Sequence, residues 1–164
     1  MTSQPLPVDE QSMRILTDEL AQQVLNQVAP EELVLYDETA QEYYADPQAL
    51  LDPKRRDEAL GSGLELAMLT PVVIAVAQSV MQWLAGAVVE AAVKESSPSV
   101  VSYLRRLFRG ADKARPASRP TALTADQARQ VRTVAYQKAL AAGLEPARAA
   151  LIADSTAGAL ITAR

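Results

Sequence analysis

The sequence contains no cysteine and no histidine among its 164 residues. The absence of cysteine excludes disulfides and thiolate metal sites, and it says little about compartment because a reducing cytosol needs no cysteine. The absence of histidine excludes Ser–His–Asp and Cys–His catalysis and nearly all zinc, copper and haem sites. An enzyme of this composition would depend on carboxylates, Lys, Tyr or a Mg²⁺ ion. We therefore expect a non-enzymatic protein with no cofactor, no metal and no small-molecule substrate.

Glycine and aromatic residues are also scarce, at six residues and 4% respectively. Tight hairpin turns depend on glycine, and strands draw on aromatic and β-branched residues, so β-sheet is disfavoured. Apolar residues make up 49% of the chain and are mostly Ala, Val and Leu. This composition predicts an all-α fold, which we expect to be a helical bundle around one long central hydrophobic helix with a C-terminal helical hairpin.

The length allows one ordinary core with appended segments, and proline, glycine and charge divide the chain into four parts. Residues 1–65 carry 14 acidic and 4 basic side chains, whereas residues 96–123 carry six basic side chains and one acidic one. The predicted division is an acidic N-terminal helical segment (1–60), a hydrophobic central helix with a short basic amphipathic helix (61–109), a linker containing Pro and Arg (110–123), and the helical hairpin (124–164).

Local signals place the outer helices. Apolar residues at three- and four-residue steps predict an amphipathic helix over 9–28, and Pro30 suits the first position of a second helix that ends before Pro47. In the C-terminal part, Thr124 and Gln127 form a capping-box pattern that opens a helix, and Gly143 closes it before the last helix begins. The hairpin has few large apolar residues, so we expect it to dock on another surface or on another copy of the chain.

The central helix is the dominant feature of the chain, because residues 66–89 are 24 consecutive residues without a formal charge. Thr70 followed by Pro71 is the clearest start signal, since a Thr cap and a proline at the first helical position leave no backbone donor unused. A narrow polar stripe at every fourth residue runs from Gln78 through Gln82 and Gly86 toward Lys94. Apolar side chains occupy most of the remaining circumference.

Two stable roles fit this helix, and a third possibility is a re-entrant or switchable helix that stays buried until a trigger exposes it. Its length is enough to cross a bilayer, with the stripe facing a partner helix or a water-filled path. Alternatively, it is the core of a soluble helical adaptor, in which the stripe is the only face that touches water. The residues assigned to this membrane or assembly helix are Val73, Val76, Gln78, Val80, Gln82, Trp83, Leu84 and Val88.

The segment after the central helix supplies a basic interface made of Arg105, Arg106 and Arg109. Such residues beside a hydrophobic helix suit an anionic membrane surface or an acidic protein, whereas a sequence pI near 4.9 disfavours nucleic acid. The first interpretation is therefore a small helical protein that associates with a membrane or self-assembles and recruits protein partners. The N-terminus shows no secretory signal pattern, which predicts a location in the cytoplasm or at the inner face of the cytoplasmic membrane.

One further cluster has candidate chemistry. Glu38, Glu42 and Asp46 lie at four-residue steps on one predicted helix face, a spacing that could hold a hard cation. Carboxylates on a single exposed helix without opposing ligands are nearly always solvent-facing, and Asp46 also suits the turn before Pro47. We therefore assign no metal site to them.

Overall fold

The computed structural model of the chain describes residues 9–52, 54, 69–94 and 123–162, and the side chains of these residues except 88–94 and 162. Regular structure in this part of the chain is entirely helical, which confirms the predicted all-α class. The elements in chain order are α1 (Glu10–Val28), a 3₁₀-helix (Pro30–Leu35), α2 (Tyr36–Ala45), α3 (Pro47–Leu51), α4 (Thr70–Lys94), α5 (Ala125–Ala141) and α6 (Pro146–Thr162).

The first helix follows its sequence pattern closely. The Asp9 carboxylate accepts the amide hydrogens of Gln11 and Ser12, which caps the N-terminus of α1. The side chains of Leu16, Leu20 and other residues at three- and four-residue steps point into the core. The second predicted helix differs from the pattern, because its first six residues form the 3₁₀-helix and α-helical geometry begins only at Tyr36.

The central helix is α4, and α1, α2, α3 and α5 all pack against it. Every side chain from Thr70 to Ala77 is buried, so this stretch is covered on all sides and not along one stripe only. Burial then becomes periodic, with Val80, Met81 and Leu84 inside and Gln82 exposed. Helical backbone continues to Lys94, the last described residue of this part of the chain.

The C-terminal hairpin forms as predicted. Thr124 and Gln127 make both hydrogen bonds of a capping box at the start of α5, and Gly143 turns the chain with a φ of 87°. Small side chains fill the space between α5 and α6, since Ala135, Ala139 and Ala153 are all fully buried. The hairpin docks on the chain's own helices, with α5 against α4 and α6 against α1.

Candidate functional site

The residues predicted to form a membrane or assembly surface lie mostly inside the bundle. Val73, Val76, Val80 and Leu84 are each at most 1% exposed. Their neighbours α1, α2 and α5 already cover them, so these side chains present no free apolar surface in this arrangement. Val88 lies on the helical backbone of α4, but its side chain is not among those described.

The polar stripe of α4 faces outward in part. Gln82 and Gly86 are exposed, Gln78 and Trp83 are half-buried, and no polar residue interrupts the buried face between Val72 and Ala77. From Gln78 to Gly86, the four-residue spacing seen in the sequence therefore corresponds to the more accessible side of the helix. The predicted basic interface, made of Arg105, Arg106 and Arg109, lies outside the described residues.

The start of α4 is held by a buried carboxylate from a distant part of the chain. Glu32, only 5% exposed, accepts the amide hydrogens of Leu69 at 3.0 and 3.1 Å and of Thr70 at 2.8 Å. The Thr70 hydroxyl also donates to this carboxylate, at 2.6 Å. The first amides of a helix have no acceptor within the helix, and a negative charge beside them is favourable. Glu32 thus takes the capping role that the sequence pattern assigned to the Thr70 side chain.

A second polar contact joins α2 to the stripe. The Tyr43 hydroxyl donates to Oε1 of Gln78 at 3.0 Å, while the Tyr43 side chain is 3% exposed. The ring of Tyr43 also meets the ring of Tyr44 edge-on, with 5.5 Å between centroids. These contacts fix the orientation of the Gln78 amide, which forms part of the wall of a groove between α1 and α4.

Asp18 connects α1 to α2 through two tyrosines. The hydroxyls of Tyr36 and Tyr44 both donate to Oδ1 of Asp18, at 2.7 and 2.9 Å. The guanidinium of Arg14 lies over the Tyr44 ring, with Cζ 4.0 Å from the ring centroid. One carboxylate oxygen therefore fixes two aromatic side chains, and a cation covers the outer ring.

Burial raises the pKa of Tyr36, Tyr43 and Tyr44 above the usual value for tyrosine. For Tyr36 and Tyr44 the hydrogen bond to the Asp18 carboxylate raises the pKa further, because ionising either phenol would place two negative oxygens together. The three hydroxyls therefore remain protonated donors throughout the neutral pH range. As protonated donors they hold the Asp18 carboxylate and the Gln78 amide in place.

The open groove between the first half of α1 and the stripe of α4 has a volume of about 880 Å³. Its walls combine the amides of Gln78 and Gln82 with the ring of Tyr44 and the guanidinium of Arg14, and two acidic residues, Asp9 and Glu10, stand at the N-terminal end of α1. The remaining lining residues are Gln11, Met13 and Thr17. The groove thus offers hydrogen-bond donors and acceptors beside apolar surface.

The acidic cluster predicted on α2 does not converge on a point. Glu38, Glu42 and Asp46 are exposed, and the described residues contain no group of three or more carboxylates placed to hold a metal ion. The Asp46 carboxylate instead accepts the amide hydrogen of Ala49 at 3.1 Å and caps α3. This is the turn role that the following Pro47 suggested.

The two carboxylates that make the long-range polar contacts, Glu32 and Asp18, were not predicted from the sequence. Glu32 follows Pro30 in the first turn of a predicted helix, where an acid is common and needs no special partner. The partners of both acids are 18 to 38 residues away in the chain, so no short motif marks them. The only sequence feature that could have indicated these contacts is the presence of a segment rich in acids and tyrosines in the same chain as a long uncharged helix.

Comparisons with protein-family models, curated proteins and solved structures find no match to this chain. Among the described residues, one stretch is long and apolar enough to cross a membrane, namely Thr70–Ala87, with a mean hydropathy of 1.3. In the structure 61% of that stretch is buried within the chain. Core helices of soluble proteins meet the same length and hydropathy criteria.

Proposed function

We propose that the protein is a soluble, non-enzymatic helical adaptor, with α4 as its core and the groove beside α4 as the surface that binds a protein partner. The observation that carries this proposal is the burial of α4 from Thr70 to Ala77 on all sides by helices of the same chain. A helix that contacts lipid needs a free apolar face, and this stretch has none in the bundle.

The groove supports a protein partner through its chemistry. Tyr and Arg are enriched at protein interfaces because they combine apolar surface with hydrogen-bond donors, and here Tyr44 and Arg14 lie together on the wall. The exposed amide of Gln82 both donates and accepts, which suits the backbone of a bound segment. The absence of histidine and cysteine from the sequence agrees with a binding role.

A second candidate function, membrane association through α4, is favoured by one observation. The stretch Thr70–Ala87 has the length and hydropathy of a membrane span. In that function the helix would have to exchange its contacts with α1, α2 and α5 for lipid or for other helices. The two candidates therefore differ in whether the wild-type chain needs detergent.

The core role is tested by expressing the full chain and purifying it without detergent. A monodisperse soluble protein is expected, and recovery only from the membrane pellet would contradict the proposal. Val80→Lys places an unpaired charge at a site that is 0% exposed and should cost about 3–5 kcal/mol of folding free energy. The matched variant Gln82→Lys, two residues away on the exposed side, should leave the melting temperature nearly unchanged.

The groove is tested by photo-crosslinking in the native host. A photoreactive amino acid replaces Gln82 in the groove in one variant, and Gln130 on the exposed face of α5 in the control. A discrete adduct with one protein is expected from position 82 and not from position 130. Equal labelling at the two positions, or none at position 82, would contradict the groove as the partner surface.

A further inference from the structure

The segment Pro30–Ala45 holds α4 in the bundle through two polar contacts, one buried and one partly buried. The Glu32 carboxylate binds the start of α4, and the Tyr43 hydroxyl binds Gln78 two turns later. The same segment is attached to α1 because Tyr36 and Tyr44 donate to Asp18. We call Pro30–Ala45 the latch segment, since it is fixed at one side to α1 and at the other to the long apolar helix α4.

The Glu32 contact satisfies polar groups on both of its sides. The amides of Leu69 and Thr70 stand at the start of a helix, where no intrahelical acceptor exists. Glu32 in turn is buried, and within the described residues no Lys or Arg lies within ion-pair distance of its carboxylate. A buried carboxylate is tolerated only with such compensation, so these donors are what allow Glu32 to be inside. Breaking the contact leaves both sides in need of water.

The helix that this contact holds is also suited to a second environment. Its first 18 residues, Thr70–Ala87, are apolar enough to cross a bilayer, and 61% of them are hidden from water by the bundle. Once parted from Glu32, the helix start needs water or lipid headgroups, while the apolar stretch after it needs an environment without water. A bilayer offers both, with the start of the helix at the interface.

We propose that the Glu32 contact is the latch of a conformational switch: while it is made, α4 is the core of a soluble bundle, and when it is broken, α4 leaves the bundle and inserts into a lipid bilayer. The trigger is any event that separates the latch segment from α4. This step goes beyond the adaptor role, which concerns only the state in which α4 is the core of the bundle. The switch is tested with vesicles and the adaptor role with crosslinking, so either proposal can fail without the other.

The test uses the full chain and the variant Glu32→Gln, which keeps the shape of the side chain but replaces one acceptor oxygen by a donor amide. Vesicles of phosphatidylcholine, with and without phosphatidylglycerol, are the probe. We expect about tenfold more Glu32→Gln than wild type bound to vesicles, which corresponds to a change of ~1.4 kcal/mol. Trp83 is the single tryptophan of the chain and lies on α4, so its emission should shift to the blue on insertion.

Two further variants keep the test decisive. Thr70→Val removes only the hydroxyl donor of the latch at a site that is 0% exposed, so its binding should lie between wild type and Glu32→Gln. Val131→Ala on α5 weakens the core away from the latch and serves as a control. Its vesicle binding is measured at the temperature at which its free energy of unfolding equals that of Glu32→Gln. Its vesicle binding should remain near that of wild type.

Several results would overturn the latch. Vesicle binding of Glu32→Gln no greater than that of the equally unstable Val131→Ala would show that general loosening, and not the latch, controls α4. Binding without a blue shift of Trp83 would mean surface adsorption without insertion. Self-association of Glu32→Gln that excludes vesicle binding would identify another copy of the chain as the destination of α4. If Glu32→Gln does not fold, the test rests on Thr70→Val. Vesicle binding of Thr70→Val equal to that of wild type would then overturn the latch.

Discussion

Replacing Asp18 by Ala tests the tyrosine contacts that join α1 to the latch segment. The change removes the acceptor of two hydroxyls at once, those of Tyr36 and Tyr44. A hydrogen bond to a charged group contributes about 1.5–3 kcal/mol to stability. A buried donor that loses its acceptor costs the full free energy of removing that donor from water. Tyr36 is 3% exposed, whereas Tyr44 lines the open groove, where water can replace the lost acceptor. The expected cost is therefore about 2–4 kcal/mol, most of it from Tyr36.

Urea denaturation followed by far-UV circular dichroism measures this cost. Tyr36→Phe alone should destabilise the protein by about 1–2 kcal/mol, because Asp18 keeps its bond to Tyr44. When Asp18→Ala and Tyr36→Phe are combined, the two losses should overlap, so that the double variant costs less than the sum of the single costs by about 1 kcal/mol or more. Glu38→Ala, which removes an exposed acid from α2, is the control for a simple change of charge and should have little effect.

Additivity would refute this reasoning. If the double variant costs the sum of the two single variants to within ~0.5 kcal/mol, the Asp18–Tyr36 bond contributes no coupling energy. The same conclusion would follow if Asp18→Ala changed the unfolding midpoint no more than Glu38→Ala does. The second result would also mean that neither hydrogen bond to Asp18 contributes to holding the latch segment on α1.

The remaining predictions concern alkaline pH and two glycines. Because burial raises the pKa values of Tyr36, Tyr43 and Tyr44 on folding, the folded state keeps protons that the unfolded chain loses above pH ~10. Stability should be full below that pH and should then fall, by at most about 1.4 kcal/mol per pH unit for each tyrosine until its folded-state pKa is reached, as urea titrations at increasing pH would show. Tyr36→Phe should make this fall less steep, and an unchanged slope would contradict the assignment. Gly143→Ala should lower stability by about 1 kcal/mol because its φ of 87° strains any other residue, whereas Gly158→Ala in α6, where an added Cβ meets nothing within 4 Å, should raise it by about 0.5–1 kcal/mol. Thermal melts compare the two, and shifts of the same sign would contradict this prediction.

Features of the fold that depend on neighbouring residues could be predicted from the sequence. The capping box of Thr124 with Gln127 and the left-handed turn at Gly143 are decided by side chains within a few positions of each other. The polar stripe was found for the same reason, since a helix repeats its faces every three to four residues. Gln82 and Gly86 are on the exposed side of α4 as that period requires.

Features that depend on distant residues could not be predicted. Thr70 has the form of a cap, yet its hydroxyl donates to Glu32, and only the folded arrangement brings that carboxylate to the start of α4. The 3₁₀ geometry before α2 is a similar case, because Pro30 is equally suited to starting either kind of helix. One wall of the groove was visible as the stripe of α4, but the opposite wall belongs to α1, and no sequence period relates the two.

The two roles of α4 cannot be separated by hydropathy, because a protein core and a bilayer both exclude water and both accept the stretch Thr70–Ala87. They differ in the partners that they give to polar groups. In the bundle, the amides at the start of α4 donate to Glu32 and the Gln78 amide oxygen accepts from Tyr43. In a membrane, water and headgroups would replace Glu32 at the start of the helix, whereas lipid tails would offer Gln78 neither an acceptor nor a donor. The polar contacts that α4 makes in the bundle therefore oppose its transfer to lipid, and a substitution at Glu32 removes one set of these contacts.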